Sequence, residues 1–123
     1  MWSFFLFIMK RFHSLKKNED FQKVYRKGNS KANRYLVMYV LENQCGNNRL
    51  GISVSKKVGN SVKRHHLTRL IRESYRLHED VFNSGLDIVV VVRTNARDAD
   101  YKKIESALLH LGGLHKIMKK KME

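Results

Sequence analysis

The side chains best suited to chemistry in this sequence are cations, concentrated in GISVSKKVGNSVKRHHLTRLIRESYR, residues 51–76. Drawn at 100° per residue, His65, Thr68, Arg69, Arg72 and Arg76 share an arc roughly 100° wide, with Arg64 at its edge. Leu67, Leu70, Ile71, Ser74, Leu77 and His78 fill an opposite arc roughly 120° wide, the stripe expected to face a core. Like charges three and four residues apart each cost a few tenths of a kcal/mol in an isolated helix. Only Glu73 interrupts the run. A solvated face would mix signs, so this pattern points to a polyanionic partner.

Other chemistry is weakly signalled. There are six histidines, but His65 and His66 are adjacent and His110 and His115 are five apart, spacings that do not put a pair on one helical face. No Cys-x-x-Cys, His-Glu-x-x-His, Gly-x-Ser-x-Gly or phosphate-loop pattern occurs, which argues against structural zinc or a covalent nucleophile. Asp80, Asp87, Asp98 and Asp100 are spread over a loop, a strand start and a helix start, unlike a two-metal nuclease site. Bond breaking by the protein itself is therefore not expected.

The totals agree. A chain of 123 residues with 42% apolar side chains can bury a core as one domain. Its formal net charge of +14 brings self-repulsion that a polyanion would relieve, nucleic acid first and an anionic membrane surface second. The single cysteine, Cys45, excludes an internal disulfide and suits a reducing cytoplasm. Met1–Met9 (MWSFFLFIM) is apolar but shorter than the roughly 20 residues of a membrane span, and it lacks the features of a signal peptide. Residues 1–8 are expected to be an extension or a start-site artefact ahead of a domain at 9–123, the alternative being that Trp2, Phe4 and Phe5 fold back onto it.

The elements that must position the cations follow in order. Lys10–Leu15 reads as a basic lead-in. KKNEDFQKVYRKG reads as a short helix with Asn18 as N-cap, acidic residues in its first turn and Gly28 as its stop. Its Phe21, Val24 and Tyr25 share one face, serving either as core or as stacking platforms for bases. Asn29–Asn33 reads as an edge strand. Tyr35–Leu41 reads as a strand covered on both faces, joined through the turn Glu42–Asn48 to Arg49–Lys56 as an antiparallel hairpin. Gly59 marks a turn, and Asn60 or Ser61 caps the basic helix. Glu79–Gly85 reads as a loop. Leu86–Val92 is the buried central strand, its helix–strand connection implying a parallel neighbour. Asp98 caps a last helix with its stripe at Tyr101, Ile104, Leu108, Leu111, His115 and Met118; Gly112-Gly113 ends or bends it, and lysines 116, 119, 120 and 121 form a basic tail. The order α-β-β-β-α-β-α predicts an α+β fold, a small mixed sheet packed with helices.

These residues resemble the bacterial ribonuclease P protein subunit. The likeness runs from about Leu15 to His115 and is sharpest in LKKNEDFQKVYRKG and RLGISVSKKVGNSVKRHHLTRLIRE. It implies the same element order with a left-handed β-α-β crossover, an exception to the usual handedness. It also implies an accessory role: a large RNA with bound magnesium cleaves precursor tRNA, and the protein holds the RNA and the single-stranded 5′ leader. No metal is expected in the chain alone, and the expected form is one protomer in a cytoplasmic ribonucleoprotein. The family's basic signature falls on Arg64, His65, Thr68, Arg69 and Arg72, where His65 replaces the usual Asn and Thr68 the usual Lys. The resemblance thus implies catalytic-RNA contacts at Lys63, Arg64, His65, Arg69, Arg72 and Arg76. It implies leader contacts at Phe21, Tyr25, Arg34, Lys56 and Lys57. Two rivals remain from other classes, a structural protein of ribosomal type and a nuclease acting unaided.

Protonation of His65 would restore part of the charge lost at Thr68. RNA binding is then expected to be tighter near pH 6 than near pH 8, and His65→Asn to flatten that difference; an unchanged pH profile in the variant discards the idea.

Overall fold

The computed structural model describes residues 13–119. Expectations about residues 1–8, Lys10 and the lysines at 120 and 121 lie outside them. A five-stranded mixed sheet carries one helix on one face and two on the other. The elements are β1 (His13–Ser14), α1 (Asn18–Lys27), β2 (Asn29–Ala32), β3 (Leu36–Glu42), β4 (Arg49–Ser53), α2 (Ser61–His78), β5 (Leu86–Val92) and α3 (Tyr101–Leu114). Across the sheet the order is β1-β4-β5-β3-β2.

The α+β class and the element order agree with the sequence reading, with β1 added inside the supposed lead-in. β1 pairs parallel with β4, His13 opposite Arg49. The hairpin expected between β3 and β4 does not form. β5 lies between them, antiparallel to β3 and parallel to β4. The physical reason is burial: β5 is buried at every position except Val91, and a strand apolar on both faces needs a neighbour at each edge. The 43–48 connection therefore spans β5, tied to it where Asn43 N–H donates to Gly85 O at 2.8 Å.

Alternation divides two cores. Leu36, Met38, Val40, Leu50, Ile88, Val90 and Val92 face α2 and α3, meeting Leu67, Ile71, Tyr75, Ile104, Leu108 and Leu111. Leu15, Val24 and Val89 form a smaller cluster under α1. β3 is thus fully buried on one face only, its other face being half-buried.

Several boundaries differ. β4 ends at Ser53 rather than Lys56; a turn follows, with Val58 N–H bonded to Ser55 O and Val58 buried. Asn18 is the first helical residue and Lys17 precedes it without a side-chain cap. Asn60 caps α2, its side chain accepting from Lys63 N–H at 2.9 Å. Asp100, not Asp98, caps α3, because residues 94–96 form one 3-10 turn first. Leu77, expected on the core stripe, is 52% exposed, because the buried face of α2 (Leu67, Ile71, Ser74 and Tyr75) is turned toward Tyr75 and away from it. Glu79–Gly85 opens with a 3-10 turn at Glu79–Val81. α3 runs through Gly112 and stops at Leu114; Lys116 then takes φ 58°.

One polar interaction crosses the α1 face. Arg49 donates two hydrogen bonds to Asp87, Nε at 2.8 Å and Nη2 at 2.7 Å. Its Nη1 lies 3.7 Å from Asp20 on α1, and Asn43 Nδ2 donates to Asp87 at 2.8 Å. Burial pushes the Asp87 carboxyl up, but the Arg49 and Asn43 hydrogen bonds outweigh it and hold it below the usual carboxylate range. Removing one partner of a buried ion pair costs about 3–5 kcal/mol, and Arg49, 31% exposed, can turn partly to water. Asp87→Asn is therefore expected to lower stability by about 2 kcal/mol at neutral pH, read from the urea midpoint at unchanged slope. Because the folded carboxyl is depressed, this stability is present above the unfolded carboxylate range and lost as pH falls through the folded value. The difference between wild type and variant should shrink accordingly in acid.

Candidate nucleic-acid interface

The register places side chains of the α1 face in cross-sheet rows. Arg49, Asp87 and Leu41 form one row, Gly51, Val89 and Tyr39 the next, and Ser53, Val91 and Val37 a third. α1 lies over the first two. Its Val24 packs with Val89, both at 0% exposure, and Tyr25 meets Tyr39 edge-on at 5.0 Å between ring centres. Phe21 stands 6.4 Å from Tyr25 and rests on Gly51. A Cβ at position 51 would lie 2.6 Å from Phe21 Cζ and 3.2 Å from Leu15 Cβ, so the glycine lets the ring sit directly on β4. Ser53, Val91 and Val37 stay half-buried. Val37 and Val91 give this row an apolar, partly accessible floor beside two half-exposed aromatic rings.

Cations gather at that end of the sheet. Ser53 pairs with Val91 and Leu36 with Val92, so β4 and β5 end, and β3 begins, at the same edge. Lys56 and Lys57 follow β4, Arg93 and Arg97 follow β5, and Arg34 precedes β3; all five are exposed. The Arg34 guanidinium lies 5.5 Å from the Tyr35 ring centre. Arg93 Nη1 donates to Asn33 O at 2.9 Å, bracing the turn that holds Arg34. Charge, flat π-faces and an apolar floor at one place suit a single strand of nucleic acid: stacking accepts any base, and cations follow the backbone.

The α2 cations differ in how free they are. Arg69, Arg72 and His65 are exposed, and no ion pair is recorded for them among the described residues. Arg76 is held by Glu73, Nη2 to Oε1 at 2.6 Å, and Lys63 Nζ lies 3.3 Å from Asp98 Oδ1. Arg64 is half-buried, its Nε enclosed without a hydrogen-bond partner. Thr68 turns its hydroxyl back to Arg64 O at 2.9 Å, leaving no outward donor where the resemblance has a lysine. Exposed pairs are worth at most about 1 kcal/mol, so Lys63 is readily released to a phosphate.

Phe21 and Tyr25 are thus brought together over one face, with Lys56, Lys57 and Arg34 at its open end. Lys63, Arg64, His65, Arg69, Arg72 and Arg76 lie on a helix packed against the other face. Sequence reasoning passed over Arg93, Arg97 and the floor of Val37, Tyr39 and Val91. Arg93 and Arg97 were legible only as loop residues until strand order was known. The floor was masked because LVMYVL is apolar throughout and alternation was hidden. Among the described residues no three His, Cys, Asp or Glu side chains group to hold a metal ion. None of the helices there is long and apolar enough to cross a membrane.

The family model described as Ribonuclease P matches residues 9–116. The ribonuclease P protein component of Lachnoclostridium phytofermentans is 60% identical over 105 residues, covering 85% of this chain and 90% of that protein. That of Alkaliphilus oremlandii is 53% identical over 103 residues, covering 84% and 90%. Among solved structures, the Staphylococcus aureus RNase P protein superposes with TM-score 0.81 at 41% identity, over 87% of this chain and 98% of that one. The Thermotoga maritima RNase P protein gives 0.75 at 32% identity, over 80% and 94%.

The fit of Phe21 on Gly51 is directly testable. Gly51→Ala is expected to displace the ring and cost about 1–3 kcal/mol by overpacking, seen as a lower urea midpoint and shifted Phe21 ring resonances; an unmoved ring with full stability would contradict the packing.

Proposed function

This chain belongs to the ribonuclease P protein family and is a subunit of that tRNA-processing endoribonuclease; from that premise we propose how its two faces divide the work. The α2 face grips the ribonuclease P RNA through Arg64, His65, Arg69 and Arg72, with Lys63 and Arg76 exchanging weak internal pairs for phosphates. Arginine suits this role because its planar fork matches phosphate oxygens. The open end of the α1 face takes the single-stranded 5′ leader of precursor tRNA. Phe21 and Tyr25 offer stacking surfaces, and Lys56, Lys57 and Arg34, joined by Arg93 and Arg97, follow the backbone. Bond cleavage belongs to the RNA with its magnesium, and the protein contributes position and charge neutralisation as one protomer in the cytoplasm.

The observation that supports this reading is the half-buried row Ser53–Val91–Val37, flanked by aromatic rings on one side and exposed cations at its end. A structural protein of ribosomal type would need the cations but not aromatic rings beside them. An unaided nuclease would need an acid–base or metal constellation; Asp87 is instead paired with Arg49, Asp100 caps a helix, and among the described residues no three His, Cys, Asp or Glu side chains group to hold a metal.

Cleavage of precursor tRNA at low magnesium with protein, RNA or both separates the three: only the mixture is expected to be stimulated. In that mixture a stacked base is worth about 1–3 kcal/mol, whereas the Lys63 pair is exposed and screened. Phe21→Ala is therefore expected to weaken precursor tRNA binding roughly tenfold, more than Lys63→Ala, and to leave mature tRNA binding unchanged. Equal effects on precursor and mature tRNA would remove the leader assignment.

A further inference from the structure

Among the described residues Val62 joins neither core cluster. It is 77% exposed in the first turn of α2, and a β-branched residue is a poor choice for an exposed helical position. Val62, His65, His66 and Arg69 stand at i, i+3, i+4 and i+7, one stripe along the helix beside the arginine arc. With Ser61 they line a shallow hollow of about 470 Å³. Among the described residues no carboxylate lines it. The first turn is already capped by Asn60, so what the hollow offers is side chains: an aliphatic surface, two imidazole rings and a guanidinium.

We infer that this hollow receives an unpaired nucleotide of the ribonuclease P RNA, its base against Val62 and an imidazole and its phosphate at Arg69. The inference rests on the reading that α2 meets that RNA, and it adds an apolar component to a contact otherwise electrostatic. Charge complementarity selects the occupant: a cationic stripe without acids, on a chain of net charge +14, favours RNA over a second copy of itself, which would bring cation to cation. Imidazole and guanidinium planes accept a splayed base by stacking, and Val62 supplies the contact that excludes water.

The two components separate by salt dependence. Each phosphate contact contributes nearly one unit to the slope of log affinity against log salt, whereas an apolar contact contributes none. Val62→Thr keeps the branched shape and replaces a methyl with a hydroxyl at an exposed site, so the fold is expected to melt unchanged. With the ribonuclease P RNA as probe, Val62→Thr is expected to lower affinity roughly fivefold at every salt concentration with the slope intact. Arg69→Gln is expected to lower both affinity and slope, the slope by about one. Full affinity in Val62→Thr alongside a reduced slope in Arg69→Gln overturns the nucleotide pocket and leaves the α2–RNA reading standing. No change in either variant overturns both. A change in sedimentation of the protein alone on Val62→Thr overturns the inference in favour of self-association.

Discussion

The bidentate pair of Arg49 and Asp87 decides which part of the sheet is covered. Asp87 is 3% exposed, on a strand otherwise apolar, and its charge is tolerable only because Arg49 and Asn43 satisfy both oxygens. Arg49 also reaches Asp20 near the start of α1, and Gly28 at the helix end lies against the Val40 backbone. Both ends of α1 are thereby tied near the start of β4 and β5. The opposite end of the same face stays open, and that is where the aromatic rings and the rim of cations meet. A sheet can tolerate apolar residues in place of a buried ion pair, but this ionic tie also fixes where the short helix α1 sits.

The second determinant is the position of β5. Pairing β4 and β5 in parallel puts the segments that follow both strands at one edge, and the antiparallel β3 brings its leading turn there too. Five exposed cations from three separate stretches of sequence converge as a result. On the far face, α2 is held by Leu67, Ile71 and Tyr75, which turns Arg69 and Arg72 outward. The repulsion among them is left uncompensated by acids, as befits a surface whose neutralising charge arrives with an RNA.

Much of this was legible in the residues. The amphipathic split of α2 was readable because Leu67, Ile71 and Ser74 on one side and His65, Arg69 and Arg72 on the other follow a 3.6-residue period. The bounds of β5 were readable because LDIVVVV is an unbroken β-branched run. Strand order was not, because a turn-rich connection such as ENQCGNN serves a hairpin and a connection across an inserted strand equally well. The Asp100 cap was missed because Asp98 and Asp100 are chemically equivalent until the preceding 3-10 turn is seen. The floor of Val37 and Val91 was missed because burial on two faces and on one look alike in an all-apolar strand.

The central place of β5 has a consequence for how the molecule is made. During synthesis β3 and β4 leave the ribosome well before residues 86–92, and neither pairs with the other in the finished sheet. Beyond their pairings with β2 and β1, their ladders to β5 wait for a strand beyond an 18-residue helix, a topology with many non-local contacts and correspondingly slow assembly. Until then two apolar strand edges are unsatisfied on a chain already rich in positive charge. That charge keeps nascent copies apart while the last strand is still inside the exit tunnel.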